Sequence, residues 1–319
     1  VVFSFEATKS KHLEEHQVIK VSPDVRLTKL GIVYGANASG KSNLVKAFEF
    51  LHDFWHNTPA DKDEKIGVIP FLLDKTSVFS PTVFEMIFYI NRQKHIYTLS
   101  LTNDSVKNES LVHYPSIRPA EIFTRTLNKN ISEIRFNPKL KISQIAKEEI
   151  EVKCLRNMSL FAAYNKVNLH IPEIDSVVTW IKENNHDAIT PGINFLKIFT
   201  EGLILKNTDI KDFILTFLDK ADFNIRNFKT KVNEKPVPDD LLKFLLDSSM
   251  PFEEKERIKN EKTVQITSTS FTHEVVDSKG KVNQFELPDW LQSNGTLRTM
   301  GLAGVMNLII KNNAFVAID

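Results

Sequence analysis

Cysteine is almost missing from this chain: Cys154 is the only one in 319 residues. That excludes an internal disulfide and a cysteine zinc cluster within one chain, and it fits a reducing compartment. Long hydrophobic runs are missing too. No stretch is apolar enough for long enough to span a bilayer, and no signal peptide is recognisable. The expectation is therefore a cytoplasmic protein with no membrane partner. An excess of one charge is also lacking. Lys plus Arg total 41 and Asp plus Glu total 40, a formal net charge of +1. The chain as a whole carries no electrostatic footprint for nucleic acid, although such an average leaves room for a local basic face. There is no initiator methionine at Val1, and the chain stops at Asp319, directly after the apolar run 314–318. It reads as the ordered part of a longer protein. Internal repeats and low-complexity tracts are absent.

What is present is ordinary in bulk: 42% hydrophobic and 25% charged residues, enough for a sizeable core in one large domain or two modest ones. Two short β-rich segments, 18–21 and 30–34, open the chain, the second running into glycine. Leu44, Phe48, Leu51 and Trp55 then recur at helical spacing, with Ala47 and Phe54 beside them, and predict a helix from about Lys41 to His56. Residues 82–90 and 95–101 flank the polar turn 91–94 and predict a β-hairpin, with further short strands near 110–113, 121–126 and 133–136. From about 144 to 247 the pattern is mainly helical. Ile210, Phe213, Ile214, Phe217 and Leu218 mark one amphipathic face, and 253–262 is a mixed charge run. Strands resume at 263–269, 272–276 and 282–287, followed by a helix over 296–311 and a fully buried strand over 314–318. The fold class expected is α/β, one core interrupted by a helical insertion. Its parts are an N-terminal lobe over 1–140, the insertion over 141–262, and the rest of the core over 263–319.

The chemistry is concentrated in Gly35-Ala36-Asn37-Ala38-Ser39-Gly40-Lys41-Ser42, a full match to the phosphate-loop pattern. Glycines let such a loop wrap with its N–H groups pointing at phosphate oxygens. The helix that starts at Lys41 adds the positive end of its dipole. Lys41 is suited to the β- and γ-phosphates of a nucleoside triphosphate, and the Ser42 hydroxyl to magnesium. The expected cofactors are ATP and Mg2+. The second half of such a site is an acidic residue at the end of an apolar strand, and Asp319 stands in that position. Ser293-Asn294-Gly295-Thr296 lies ahead of the last helix. Local chemistry leaves two readings of it open, an anion site at a helix N-terminus and a simple N-cap.

Taken together, these residues resemble ABC-type P-loop ATPases of the SMC, RecF and OLD (overcoming-lysogenisation-defect) kind, and the abortive-infection ATPases of anti-phage systems. Asn43 after the magnesium serine is similar to their loops. Ser293–Thr296 resembles their signature, and 315–319 their apolar strand ending in Asp. Phe5-Glu6-Ala7-Thr8 and Arg125 within 121–125 also resemble recurrent stretches. The resemblance implies an ABC-type core with a signature and Walker B part in 263–319. It implies a homo-oligomer in which two subunits meet head to tail, Ser293 and Gly295 of one capping the γ-phosphate bound by the other. It further implies ATP hydrolysis, antiviral defence, and a partner effector such as a nuclease or toxin. Nucleic acid stays open as a partner through the alternative reading, a DNA-binding repair or chromosome-maintenance ATPase. Gln292 departs from the Glu often found before the signature serine. The catalytic glutamate expected after Asp319 lies beyond the chain, so no catalytic base is assigned, and the residues argue for binding better than for hydrolysis.

Other features carry less. His52 and His56 have the i, i+4 spacing of zinc ligands, but Asp53 stands where a glutamate would, no third ligand is evident, and Trp55 between them speaks for a packed helix. Trp180 and Trp290 read as core or interface, and Phe213, Phe217 and Phe223 as core. Lys139, Lys141, Lys147 and Lys153 read as a solvated face. Asn128-Lys129-Asn130 lacks the aspartate of a guanine-reading motif.

Overall fold

The computed structural model describes residues 2–190, 195–207, 209–221, 223–247 and 252–319; the side chains of Asp239 and of 252–254, including two glutamates of the charge run, lie outside the described residues. The chain forms two compact units, Val1–Thr190 with Ala314–Asp319, and Pro191–Asn313.

The first unit opens with a short helix α1 (Glu14–Gln17) and a two-stranded hairpin, β1 (Val18–Ser22) and β2 (Val25–Thr28). Helix α2 runs over Lys41–His56, the span its periodicity predicts. An antiparallel meander follows: β3 (Thr82–Ile90), β4 (Gln93–Leu101), β5 (Val106–His113), β6 (Ala120–Asn128) and β7 (Ile131–Phe136), paired in that order. The β3–β4 turn is tighter than the expected 91–94. Asn91 and Arg92 both adopt left-handed backbone (φ 48° and 67°), the two-residue connection that matches strand twist, so β4 already starts at Gln93. Alternation along β4 puts Tyr97, Leu99 and Leu101 on one face, all fully buried. On that face lie α4 (Leu160–Tyr164), preceded by α3 (Gln144–Lys153), and α5 (Pro172–Asn184).

The C-terminal half of α2 is seated in this core. Trp55 packs edge-on to Tyr97 (centroids 5.4 Å apart) and to Phe161 of α4 (6.3 Å), and Phe50 stacks on Phe84 of β3 (5.1 Å). Edge-to-face and offset rings fix orientation as well as burying apolar area. The loop before α2 is thus carried on a helix whose far end is anchored. Trp180 stacks on Phe88 (4.4 Å), a core position as expected.

The second unit holds α6 (Leu196–Lys206), α7 (Asp209–Lys220), β8 (Asn227–Pro236), α8 (Asp239–Asp247), α9 (Phe252–Glu261), β9 (Thr263–Val276), β10 (Val282–Pro288) and α10 (Asn294–Asn312). Its sheet has the order β10-β9-β8, all antiparallel. β8 lies within a stretch that reads as mainly helical. Only Phe228 of its alternating face is buried, so the period-two signal is weak. The two strands expected at 263–269 and 272–276 are one, because Ser270 and Phe271 continue the ladder with β8 and β10. Phe228 and Phe271 meet in a core with Ile210, Ile214, Leu218 and Met300, onto which Phe217 and Phe223 pack. Helices α10 and α6 approach closely at Gly304, where any Cβ would overlap the Thr200 side chain. Trp290 is 76% exposed and belongs to no core. Among the described residues no helix is long and apolar enough to cross a membrane.

Candidate functional site

The loop Gly35–Gly40 is exposed and curls back on itself. Lys41 Nζ donates to the carbonyls of Gly35 (2.9 Å) and Ala36 (2.7 Å), and the amide of Ser39 donates to Ala36 O (3.3 Å). The lysine at the head of the helix is thereby held over the start of the loop. Closing the curl needs left-handed backbone at Ala38 (φ 60°) and at Gly40 (φ 91°), the residue that caps α2. Glycine takes that conformation at little cost. No side chain caps the helix, and the amides of Gly40, Lys41 and Ser42 find no backbone acceptor among the described residues. A first turn with orphan donors, beside an ammonium group and a hydroxyl, suits a polyphosphate. Asn37 and Asn43 are exposed beside it, and Ser42 is half-buried in the first turn of α2.

The segment before the loop differs from expectation. Residues 29–35 are not a strand: the β1–β2 hairpin ends at Thr28, and Leu30, Ile32, Val33 and Tyr34 are exposed. Their apolar, β-branched character favours extended backbone, but a strand also needs a ladder partner, and none pairs with them among the described residues. The run 314–318 likewise is not a fully buried strand. It makes single parallel bridges from Phe315 to Asn185 and from Ile318 to Ile189; its residues are half-buried, and Ile318 is 43% exposed. Backbone bonds Phe315 N to Asn184 O (2.6 Å), His186 N to Phe315 O (3.0 Å), Ile189 N to Ala317 O (2.8 Å) and Asp319 N to Ile189 O (2.9 Å) hold it along one side. The neighbour strip 184–190 is polar and carried no strand signal. Asp319 ends this run, exposed.

Four phenylalanines tie these pieces together. Phe3 and Phe5 pack edge-on (5.0 Å), Phe5 packs on Phe315 (6.0 Å), and Phe315 on Phe48 of α2 (4.9 Å). The run that ends at Asp319 is thus set against the helix that begins at Lys41.

Ser293 lies in the second unit, at the head of α10. Its Oγ accepts from the Thr296 amide (3.0 Å) and lies 2.8 Å from Thr296 Oγ1, which is N-cap geometry, with Ser293, Asn294 and Gly295 all exposed. Gln292, the departure from the usual signature, has its Nε2 3.0 Å from His273 Nε2.

Arg125 is buried in the first unit. Its guanidinium donates to Glu109 Oε2 (2.9 Å), to the carbonyls of Met158 (2.6 Å) and Leu155 (2.7 Å), and to Ser132 Oγ. Glu109 also accepts from Tyr97 Oη and the Leu160 amide, both at 3.0 Å. Burial raises the Glu109 carboxyl above the ordinary range against the opposing pull of Arg125. The network is structural: it fixes α4 beneath Trp55.

A side chain that the helix spacing of His52 and His56 does not reveal is Asp187. Ligand-type atoms of His52, Asp53 and Asp187 lie within 4.8 Å of one another, whereas His56 turns its Nδ1 to the His52 carbonyl (2.8 Å). Burial, then His56, holds the His52 imidazole below its usual range, while burial and Asp187 raise Asp53. Exposed carboxylates gather in this way without a cation, and the group joins the end of α2 to strip 184–190.

Comparison with known proteins adds one match. Residues 32–151 fit the family model described as "AAA domain, putative AbiEii toxin, Type IV TA system". No curated protein and no solved structure matches the chain. The matched stretch contains the phosphate loop, α2 and the antiparallel meander, and it supports a P-loop, AAA-type nucleotide-binding ATPase domain there.

Proposed function

We propose that this chain is the ATP-binding subunit of an ABC-type ATPase that uses nucleotide-dependent dimerisation to control an effector in anti-phage defence. The observation that carries the ATP reading is the curl of the loop around Lys41, with the amides of Gly40, Lys41 and Ser42 left free of backbone acceptors among the described residues. Lys41 and those amides bind and orient the phosphates; Ser42 and Asp319 are the residues to hold magnesium, which supplies charge neutralisation between phosphates when bound. Ser293 and Gly295, exposed at the head of α10, are available to a second subunit. The effector reading draws support from the sequence resemblance and from the matched family's description, "putative AbiEii toxin, Type IV TA system".

The test is ATP binding by the full-length protein with magnesium, followed by titration calorimetry. Wild type binds and Lys41→Ala loses at least tenfold in affinity, with GTP failing to displace ATP. Unchanged binding by Lys41→Ala, or by Ser42→Ala and Asp319→Asn when magnesium is varied, would sink the reading of the site. Dimerisation that ignores ATP, or survives Ser293→Arg, would sink the head-to-tail part.

A further inference from the structure

The first unit carries a second, separate cation-rich feature. A cavity of about 570 Å³ is lined by Lys9, Lys11, Lys20, Arg26 and Arg92, with Glu14 its only carboxylate and Val21, Ser22 and Pro23 completing the wall. Five cations against one carboxylate stand out in a chain whose charges otherwise balance, 41 against 40.

The cleft is built rather than accidental. Glu14 pairs with Lys20 (3.2 Å) and Arg26 (3.1 Å) and so occupies those two cations. Arg26 also donates from Nη1 to Thr8 O (2.8 Å) and from Nη2 to Ser10 O (3.1 Å), the carbonyls on either side of Lys9. This clamp fixes the loop that presents Lys9 and Lys11. From the other side comes Arg92, at the tip of the β3–β4 hairpin, where left-handed backbone (φ 67°) makes the tight turn. Lys9, Lys11 and Arg92 are exposed and have no carboxylate partner among the described residues. None of the lining residues belongs to the phosphate loop.

We infer that this cleft binds the phosphate backbone of nucleic acid without reading its sequence. Three unpaired cations on two separate elements suit a ligand with repeated negative charge better than a single phosphate ion. At about 570 Å³ the cleft has the size of an ordinary ligand pocket, room for a short stretch of a longer chain that runs across it. Base edges are read by arginine or lysine forks on guanine, by amide side chains or by stacking rings. Here the Arg26 fork is already spent on Glu14 and on the carbonyls of Thr8 and Ser10, which leaves Arg92 on its own hairpin tip. The lining has no aromatic ring and no amide side chain, and backbone phosphates need neither. An acidic peptide would use an apolar anchor or pair with a strand edge. As anchors the wall offers only Val21, which is buried, and Pro23. The outer edge of β1, which has β2 as its one partner among the described residues, is the reason the test includes a peptide competitor. Occupation of this cleft does not require ATP.

The test is fluorescence anisotropy with the full-length protein and labelled mixed-sequence oligonucleotides, single- and double-stranded, titrated across salt concentration. The variant is Lys9→Gln/Lys11→Gln/Arg92→Gln, which leaves the Glu14 pairs and the Arg26 clamp in place. Its thermal unfolding should match wild type. Binding to wild type should weaken linearly in log–log against salt. The variant's slope should be smaller by roughly 0.7 to 0.9 for each phosphate left without its cation, about 2 to 3 in all. Oligonucleotides of different sequence should bind alike, and Lys41→Ala should keep wild-type oligonucleotide affinity, which separates this site from the phosphate loop. Absence of oligonucleotide binding at low salt would overturn the inference. So would a wild-type slope in the variant, or displacement of the oligonucleotide by polyglutamate at lower charge concentration than by unlabelled DNA, which would make the cleft a peptide site.

Discussion

Phe315 lies against Phe48 with ring centroids 4.9 Å apart, and through this contact the segment bearing Asp319 is packed on the helix that bears Lys41. The two rings are half-buried, and only three residues lie between Phe315 and Asp319. Truncating either should loosen the Asp319 run, which otherwise has bridges on one side only. Phe48→Ala and Phe315→Ala are each expected to cost about 1–3 kcal/mol, below the figure for a fully buried phenylalanine. Urea unfolding of both singles and the double should give a coupling of about 0.5–1.5 kcal/mol. Strictly additive losses would mean that the ring contact does not join the two segments.

The helix of this pair was legible in the sequence and its partner strand was not, for a physical reason. Helical hydrogen bonds are internal to a segment, so Leu44, Phe48, Leu51 and Trp55 suffice to set the span of α2, and Gly40 and Lys41 its start. The meander was legible because each strand alternates and neighbours in sequence are neighbours in the sheet. Residues 30–34 and 314–318 have strand composition, but a strand is completed by a partner from elsewhere, and composition does not name one. The strip 184–190 that pairs with 315–319 is Asn-Asn-His-Asp-Ala-Ile-Thr, with nothing strand-like to mark it. The phosphate loop was legible in full because its chemistry is local. Asp187 was not, because it meets His52 only through the fold. The basic cleft was hidden for the same reason: Lys9 and Arg92 lie on different elements, and the net charge averages them away.

Strip 184–190 also makes the fold sensitive to acid. Asn185 Nδ2 lies 3.3 Å from His52 Nδ1, and Asn185 is buried and bridges to Phe315. The His52 imidazole is held below its usual range, first by burial and then by His56, with Asp187 and Asp53 opposing. The folded state therefore takes up this proton less readily than the unfolded chain. The stability tied to neutral His52 is full above the ordinary imidazole value of about 6.5 and is lost as pH falls through the lower folded value. His95 and His113 are depressed by burial too, so the contribution of His52 is read as a difference. As pH drops below about 6.5, the urea midpoint of wild type should fall more steeply than that of His52→Gln. Parallel curves would remove His52 from the acid response.

The buried pair of Arg125 and Glu109 gives a prediction whose sign changes with the partner. Both side chains are almost wholly inaccessible, and Glu109 keeps two further donors, Tyr97 Oη and the Leu160 amide, when Arg125 is removed. Arg125→Met should cost about 3–5 kcal/mol near neutral pH, because it strands a buried carboxylate rather than because the pair itself is worth that much. Burial already raises the Glu109 carboxyl, and losing Arg125 raises it further. In the variant the folded state binds the proton more readily than the unfolded chain, so the deficit should shrink as pH falls through that raised value. Arg125→Met/Glu109→Gln should recover much of the loss at neutral pH, since the glutamine carbonyl can still accept from Tyr97 and Leu160 while carrying no charge. Urea unfolding of the three proteins at neutral and mildly acid pH checks both statements. A single-variant cost that does not change with pH, together with a double variant no better than the single, would show that the loss comes from packing around the guanidinium and not from the stranded charge.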